Sequence, residues 1–303
     1  MIPVFLDHAS DYIQAAQTVR TLLKAILPPP RGLRILLKPN FVSLRHAGLA
    51  CTHARIIAAA AEYCQDLGAR VTVGDSPAFG TAERIAREIG LTGLLVPLNV
   101  PVMTLNRGVR VQSGNVTIPV STRALQADLI LNLPKFKAHS QMRFSGAVKN
   151  LFGCVPGVHK AWLHARHGDK GARFTEMIRG LQAVLPPTVS LLDGVEAMHR
   201  TGPIMGEKFD LGFLGASVDS AALDTAAGLA LGAKAEMFPI WMECLRAGLP
   251  GADPGQLAFP LLQPSEFDTK GFILPATLKP ESFRPDVLAK SLTKRLWMSW
   301  RKD

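Results

Sequence analysis

Between Leu133 and Gly153 the chain reads LPKFKAHSQMRFSGAVKNLFG, with Lys135, Lys137, His139, Arg143 and Lys149 set among small and apolar residues and no carboxylate. Cations at that density are what a protein needs to hold an anion by charge-assisted hydrogen bonds. A solvated basic loop is the simpler alternative, because long cationic side chains are ordinarily exposed. The flanking sequence favours binding. Leu129–Leu133 reads as a buried strand ended by Pro134, so Lys135 to His139 are expected on the loop at the strand's C-terminal edge, where open α/β sheets bind ligands. Ser145 is then expected to cap a helix through Ala147, Val148 and Leu151 to Gly153, aiming free N–H groups at the same loop.

The chemistry available is proton transfer beside a bound anion. Lys38, Lys135, Lys137 and Lys149 would clamp the anion, while a lysine desolvated among other cations loses its proton easily enough to act as a base or to form a Schiff base. His139 or His164 would move a proton. His139, Lys149 and His164 are therefore the catalytic candidates. Lys160 and His164 are expected on a lid that Gly153, Pro156 and Gly157 allow to move, and Asn150 lies within the same helical stretch.

Other strand tips add ligand-binding candidates. Lys38 and Asn40 follow the run Arg34–Leu37; Thr52 is expected as a helix N-cap with His53 either touching the ligand or facing solvent. Asp75 and Ser76 follow Val71–Val73, where Asp75 can hold a metal, a hydroxyl or a lysine, or simply close an Asx turn. Asp193 and Glu196 follow Val189–Leu192 and can hold a divalent cation or orient the lysines by ion pairing, the second being favoured because two carboxylates are few for a metal cage. Asp219 looks like an N-cap, with Asp224 one turn into that helix. His159, His164 and His167 with Cys154 have zinc-like spacing, which Lys160 and Arg166 oppose. Ser145 and Lys149, one helical turn apart, also have the spacing of a Ser–Lys pair, but the cap reading is preferred.

The ordered motifs resemble the domain-of-unknown-function family 362. They are LLKPN at Leu36–Asn40, Thr52-His53, VGDSP at Val73–Pro77, the basic block, Lys160 and His164, LLDGVEAM at Leu191–Met198, TGP at Thr201–Pro203 and ASVDSAALD at Ala216–Asp224. The resemblance implies a poorly characterised α/β family, many of whose members carry ferredoxin-like iron–sulfur clusters. This chain departs from that pattern: Cys51, Cys64, Cys154 and Cys244 are scattered, and no iron–sulfur cluster is expected within it. A redox role would require an external partner or cofactor.

Its 303 residues, 48% of them hydrophobic, are enough for a large core. Apolar strands alternating with amphipathic helices predict an α/β fold with a largely parallel or mixed sheet covered by helices on both faces. One domain, or two closely joined lobes, is expected over residues 1–283. A basic amphipathic helix is expected over 284–303, docking internally or contacting a membrane or protein partner. Net charge is +10. Ile130 to Thr175 holds eight lysines and arginines, including Lys170 and Arg173, against Asp169 alone. Nucleic acid is set aside as partner, for want of interleaved aromatics or a helix-turn-helix pattern. Walker, dinucleotide-binding and nucleophile-elbow motifs are absent. No signal peptide or membrane-length apolar stretch is seen, so a cytoplasmic location is expected.

The competing readings are thus an enzyme acting on an anionic small molecule by proton transfer or isomerisation, a redox-associated protein with an external cofactor partner, and a non-catalytic anion- or cofactor-binding protein.

Overall fold

The computed structural model describes residues 1–77, 80–168 and 172–278. Its strands are β1 (Ile2–His8), β2 (Arg34–Pro39), β3 (Arg70–Asp75), β4 (Val102–Thr104), β5 (Gly108–Ser113), β6 (Val116–Ser121), β7 (Leu129–Leu133), β8 (Lys135–His139), β9 (Arg143–Ser145), β10 (Thr188–His199), β11 (Glu207–Ser217) and β12 (Leu257–Ala258). Ten of them form one sheet in the order β12-β1-β11-β10-β7-β2-β3-β4, with β8 beside β10 and β9 beside β8. The run β10-β7-β2-β3-β4 is parallel. β11 is antiparallel to both β10 and β1, so the sheet is mixed. β5 and β6 form a separate hairpin.

Alternate residues of each central strand enter different cores. Ile35, Leu37, Leu129, Leu131 and Leu191 pack with the helices Tyr12–Ile26 and Ala54–Asp66. Leu36, Ile130 and Leu192 pack with Ala172–Val184, Ser220–Ala230 and Pro239–Arg246. Two covered faces explain why these strands read as continuous apolar runs instead of alternating ones. Asp11 and Asp219 cap their helices through side-chain oxygens.

Three local expectations are corrected. Lys135–His139 is not a loop but strand β8, parallel to β10 and antiparallel to β9. Phe136 packs in the core and Ala138, also buried, shares its side of the strand, which turns Lys135, Lys137 and His139 together to the other side. Ser145 does not cap a helix; it closes β9, and the helix Ala147–Asn150 is a single turn followed by a 3-10 turn over Leu151–Cys154. Thr52 is not the N-cap of Ala54–Asp66, because His53 takes that place and accepts from the Arg55 N–H through Nδ1. Thr52 instead joins two strand ends, donating to the Leu133 carbonyl at 2.6 Å and accepting from the Asn40 N–H at 2.8 Å.

Among the described residues, no helix is long and apolar enough to cross a membrane. Asp169, Lys170 and the expected 284–303 helix lie outside the described residues.

Candidate active site at the C-terminal edge of the parallel strands

β2, β3 and β7 end side by side, and the segments leaving them enclose a cavity of about 470 Å³. Parallel strands put their C-terminal tips on one edge, which brings Lys38, Asn40 and Asp75 to the same opening. β8 carries the wall beyond that edge and contributes Lys137 and His139. Ser145, Lys149 and Asn150 come from β9 and the short helix after it, and Lys160 and His164 from the helix Gly157–His167.

The floor is a closed polar network. Lys38 Nζ pairs with Asp75 Oδ1 at 2.9 Å and donates to the Pro39 carbonyl at 2.6 Å, both side chains being buried. The other Asp75 oxygen accepts from the Phe41 N–H at 2.6 Å. Asn150 Oδ1 accepts from Asn40 Nδ2 at 2.8 Å, while its Nδ2 donates to Asn132 Oδ1 at 2.8 Å and to the Lys38 carbonyl at 3.1 Å. Gly153 lies against this pair so closely that a Cβ there would overlap Asp75 Oδ1 and Lys38 Nζ.

Lys137 is 1% exposed, and its Nζ donates to Asn40 Oδ1 and to the Ala50 carbonyl. Two acceptors leave one tetrahedral position of the nitrogen, which is a third donor when charged and a lone pair when neutral. Burial pushes Lys137 down to about 7; nearby Lys149 and Lys135 push the same way, against Cys51. Burial likewise lowers Lys160 to about 8, and Lys160 Nζ donates to the Ser76 carbonyl. Ser76 Oγ accepts from the Gly157 N–H at 2.7 Å, fixing the start of the same helix.

Both cavity histidines are neutral. Burial and then Lys149 hold His139 well below its usual range and His164 at about 3. His139 Nδ1 accepts from the backbone N–H groups of Gln141 at 3.1 Å and Met142 at 3.3 Å, so the ring's proton belongs on Nε2. His139 therefore carries its ring donor on Nε2. His164 packs against the rings of Phe152 and Phe174.

Other expected residues lie apart from the lining. Lys135 pairs with Asp193 at 3.0 Å, both wholly buried and outside the lining. His53 stacks on Tyr12 with ring centroids 3.5 Å apart and donates its backbone N–H to Asp193. Glu196 reaches Lys208 at 3.6 Å instead of sharing a ligand with Asp193. His159 is exposed. Among the described residues, no group of three or more His, Cys, Asp or Glu can hold a metal ion. The four cysteines are buried and free. Cys51 and Cys64 belong to the core on one face of the sheet and Cys154 and Cys244 to that on the other, a donor set that does not fit a four-thiolate cluster. Sequence reasoning missed the Thr201–Met205 segment, Phe41, Val42 and Tyr12. The TGP motif at Thr201–Pro203 was the available signal for the first, and Tyr12 had none.

Asp224 caps the Lys149 helix from 76 or more residues away, accepting from the N–H groups of Ala147 and Val148, the latter at 3.0 Å. Burial raises it to about 7 from an ordinary 3.8, although the two N–H bonds pull it down. Asp224→Ala should lower stability by about 2 kcal/mol by orphaning two buried N–H groups. The pH trend has a fixed sign. The folded state holds the proton that the unfolded chain releases, so this group's contribution falls as pH rises from about 4 to about 7. Urea unfolding across that range should show Asp224→Asn gaining on the wild type; a constant difference would contradict the assigned protonation.

Fold and site together define an α/β protein with a mixed sheet and a lysine-bearing cavity at the C-terminal edge of its parallel strands. The chain belongs to the Domain of unknown function (DUF362) family, whose model matches residues 35–228. It is 34% identical over 293 residues to the Thylakoid-associated protein sll1697 of Synechocystis sp., a match covering 93% of this chain and 91% of that protein. A looser similarity, with a TM-score of 0.47 and 10% identity, links it to the lactate racemase apoprotein from Thermoanaerobacterium thermosaccharolyticum. That match covers 76% of this chain and spans 57% of the racemase chain.

Proposed function

We propose that this protein is an enzyme that binds a carboxylate- or phosphate-bearing small molecule in the cavity and moves a proton on it, as an isomerase or related carbon-acid enzyme does. The observation carrying the reading is the charge of the lining: Lys38, Lys137, Lys149 and Lys160 face one space, and Asp75, the one carboxylate among the described lining residues, is paired with Lys38. Lys137 is the base in this scheme, since an amine near pKa 7 is substantially neutral at neutral pH. Its lone pair takes the proton from carbon, and the same nitrogen returns it. Lys149, Lys160 and the His139 Nε2–H would hold the anion and the charge that develops beside it. A buried amine among cations is poorly suited to a merely electrostatic role, which favours the enzyme over the pure binding protein.

Calorimetric titration of the full chain with inorganic phosphate and with butanoate tests the binding half of this reading. Lys149→Ala should weaken the anion by about 1–3 kcal/mol, as expected for a charge-assisted hydrogen bond. Lys24→Ala, on the exposed face of the Tyr12–Ile26 helix, should leave it unchanged. Equal affinity in the wild type and Lys149→Ala would return the basic segment to a structural role.

A further inference from the structure

The cavity joins a buried floor rich in polar groups to a more exposed lining that is partly apolar. Its floor is polar and buried: Lys38, Asp75, Lys137, His139 and Asn150 are all inaccessible or nearly so. Its more exposed lining combines polar Thr201, Lys149 and Lys160 with an apolar set, Val42, Pro203 and Ile204, all partly exposed, and Met205, 62% exposed. Single exposed apolar residues are common on any protein. Three in succession, on a segment fixed at the opening of a cationic cavity, form a continuous apolar wall. The segment is held in place, since the Ser140 N–H donates to the Gly202 carbonyl at 3.1 Å and Gly202 lies so close to the Ala138 carbonyl that a Cβ would overlap it. The wall therefore stands beside His139, the last residue of β8.

From this arrangement we infer that the ligand is an amphiphilic anion, with its carboxylate or phosphate head on the lysines and a hydrocarbon chain leaving along Val42, Pro203, Ile204 and Met205. A wholly polar metabolite would leave that wall in water. A chain lying on it removes apolar surface of both from solvent, each buried methylene tightening binding by about three- to fourfold. The inference rests on the anion-binding reading above and adds the second half of the ligand.

Titration of the full chain with butanoate, hexanoate and octanoate, and with the matching alkyl monophosphates, reads the chain-length dependence directly. Affinity should climb with each added methylene until the wall is covered. Whichever head group gives the tighter series identifies the source of the charge. Octanol, with the same chain and no charge, should bind far more weakly than octanoate. In a variant carrying both Ile204→Ser and Met205→Ser the chain-length slope from butanoate to octanoate should flatten. Equal affinity for butanoate and octanoate, or an unchanged slope in the double variant, would overturn the amphiphile while leaving the anion site standing. If no anion binds at any length, the proposed function itself fails.

Discussion

Asp193→Ala should cost about 3–5 kcal/mol of stability, because it strands a charge in the interior. Lys135 and Asp193 are both wholly buried, with Nζ and Oδ2 3.0 Å apart. Tyr12 completes the pair: Lys135 Nζ donates to its hydroxyl at 2.6 Å, and the hydroxyl donates to Asp193 Oδ1 at 3.2 Å. Burial, reinforced by the Asp193 charge, raises the Tyr12 pKa, so the phenol keeps the proton this geometry needs. The His53 N–H supplies a further bond to Asp193 at 2.9 Å, tying in the start of the Ala54–Asp66 helix. Removing the carboxylate leaves the ammonium with a neutral phenol and no anion. The double replacement Lys135→Met with Asp193→Leu removes both charges and should recover most of the loss. Urea unfolding of the two variants measures the difference, and a cost below about 1 kcal/mol for Asp193→Ala would show that the pair contributes little.

Lys137→Met should lower the rate of proton transfer by about 10²–10⁴-fold, the usual contribution of a positioned base. Methionine matches the length of the side chain and keeps the packing while removing the nitrogen. The pH dependence has a definite sign. Lys137 sits at about 7, below the 10.5 of an ordinary lysine, so its neutral fraction grows as pH rises through 7. The wild-type rate should rise over that range and level off, while affinity for inorganic phosphate falls as the cation is lost. Stability moves with the rate: the folded chain holds fewer protons than the unfolded one between about 7 and 10.5, so this group's contribution improves with pH across that window. A rate profile that keeps its shape in Lys137→Met would assign the base elsewhere.

Much of this arrangement is legible in the sequence because it depends on strand tips. Apolar runs ending at Leu37, Val73 and Leu133 mark parallel strands, and whatever follows them must share an edge; that logic places Lys38, Asn40 and Asp75 together. β8 was hidden for a physical reason. Lys135, Lys137 and His139 alternate with Phe136 and Ala138 at the period of a strand, but lysines in alternation ordinarily signal a solvated face, whereas here they face buried partners. Ion pairing of Asp193 with a lysine is the favoured reading of the sequence and holds for Lys135, but nothing near Lys135 reveals that it is the partner, 58 residues away, and so it reads as a clamp on the ligand. The cap on the Lys149 helix is equally non-local, because Asp224 supplies what Ser145 was expected to supply. A mixed sheet is within the sequence reading, but which strand runs antiparallel is not, because β11 is buried along Leu211–Ser217 and reads like its parallel neighbours.

Solvent deuterium wash-in puts the most direct question to the cavity. The full chain is incubated in D2O with 2-oxobutanoate or 2-oxooctanoate, carbon acids that carry the carboxylate the lysines would hold, and the recovered acid is weighed by mass spectrometry. Deuterium is expected at the carbon beside the carbonyl faster than in protein-free buffer, suppressed by inorganic phosphate and abolished in Lys137→Met. Wash-in at the protein-free rate, or wash-in indifferent to both phosphate and Lys137, would contradict proton transfer in the cavity.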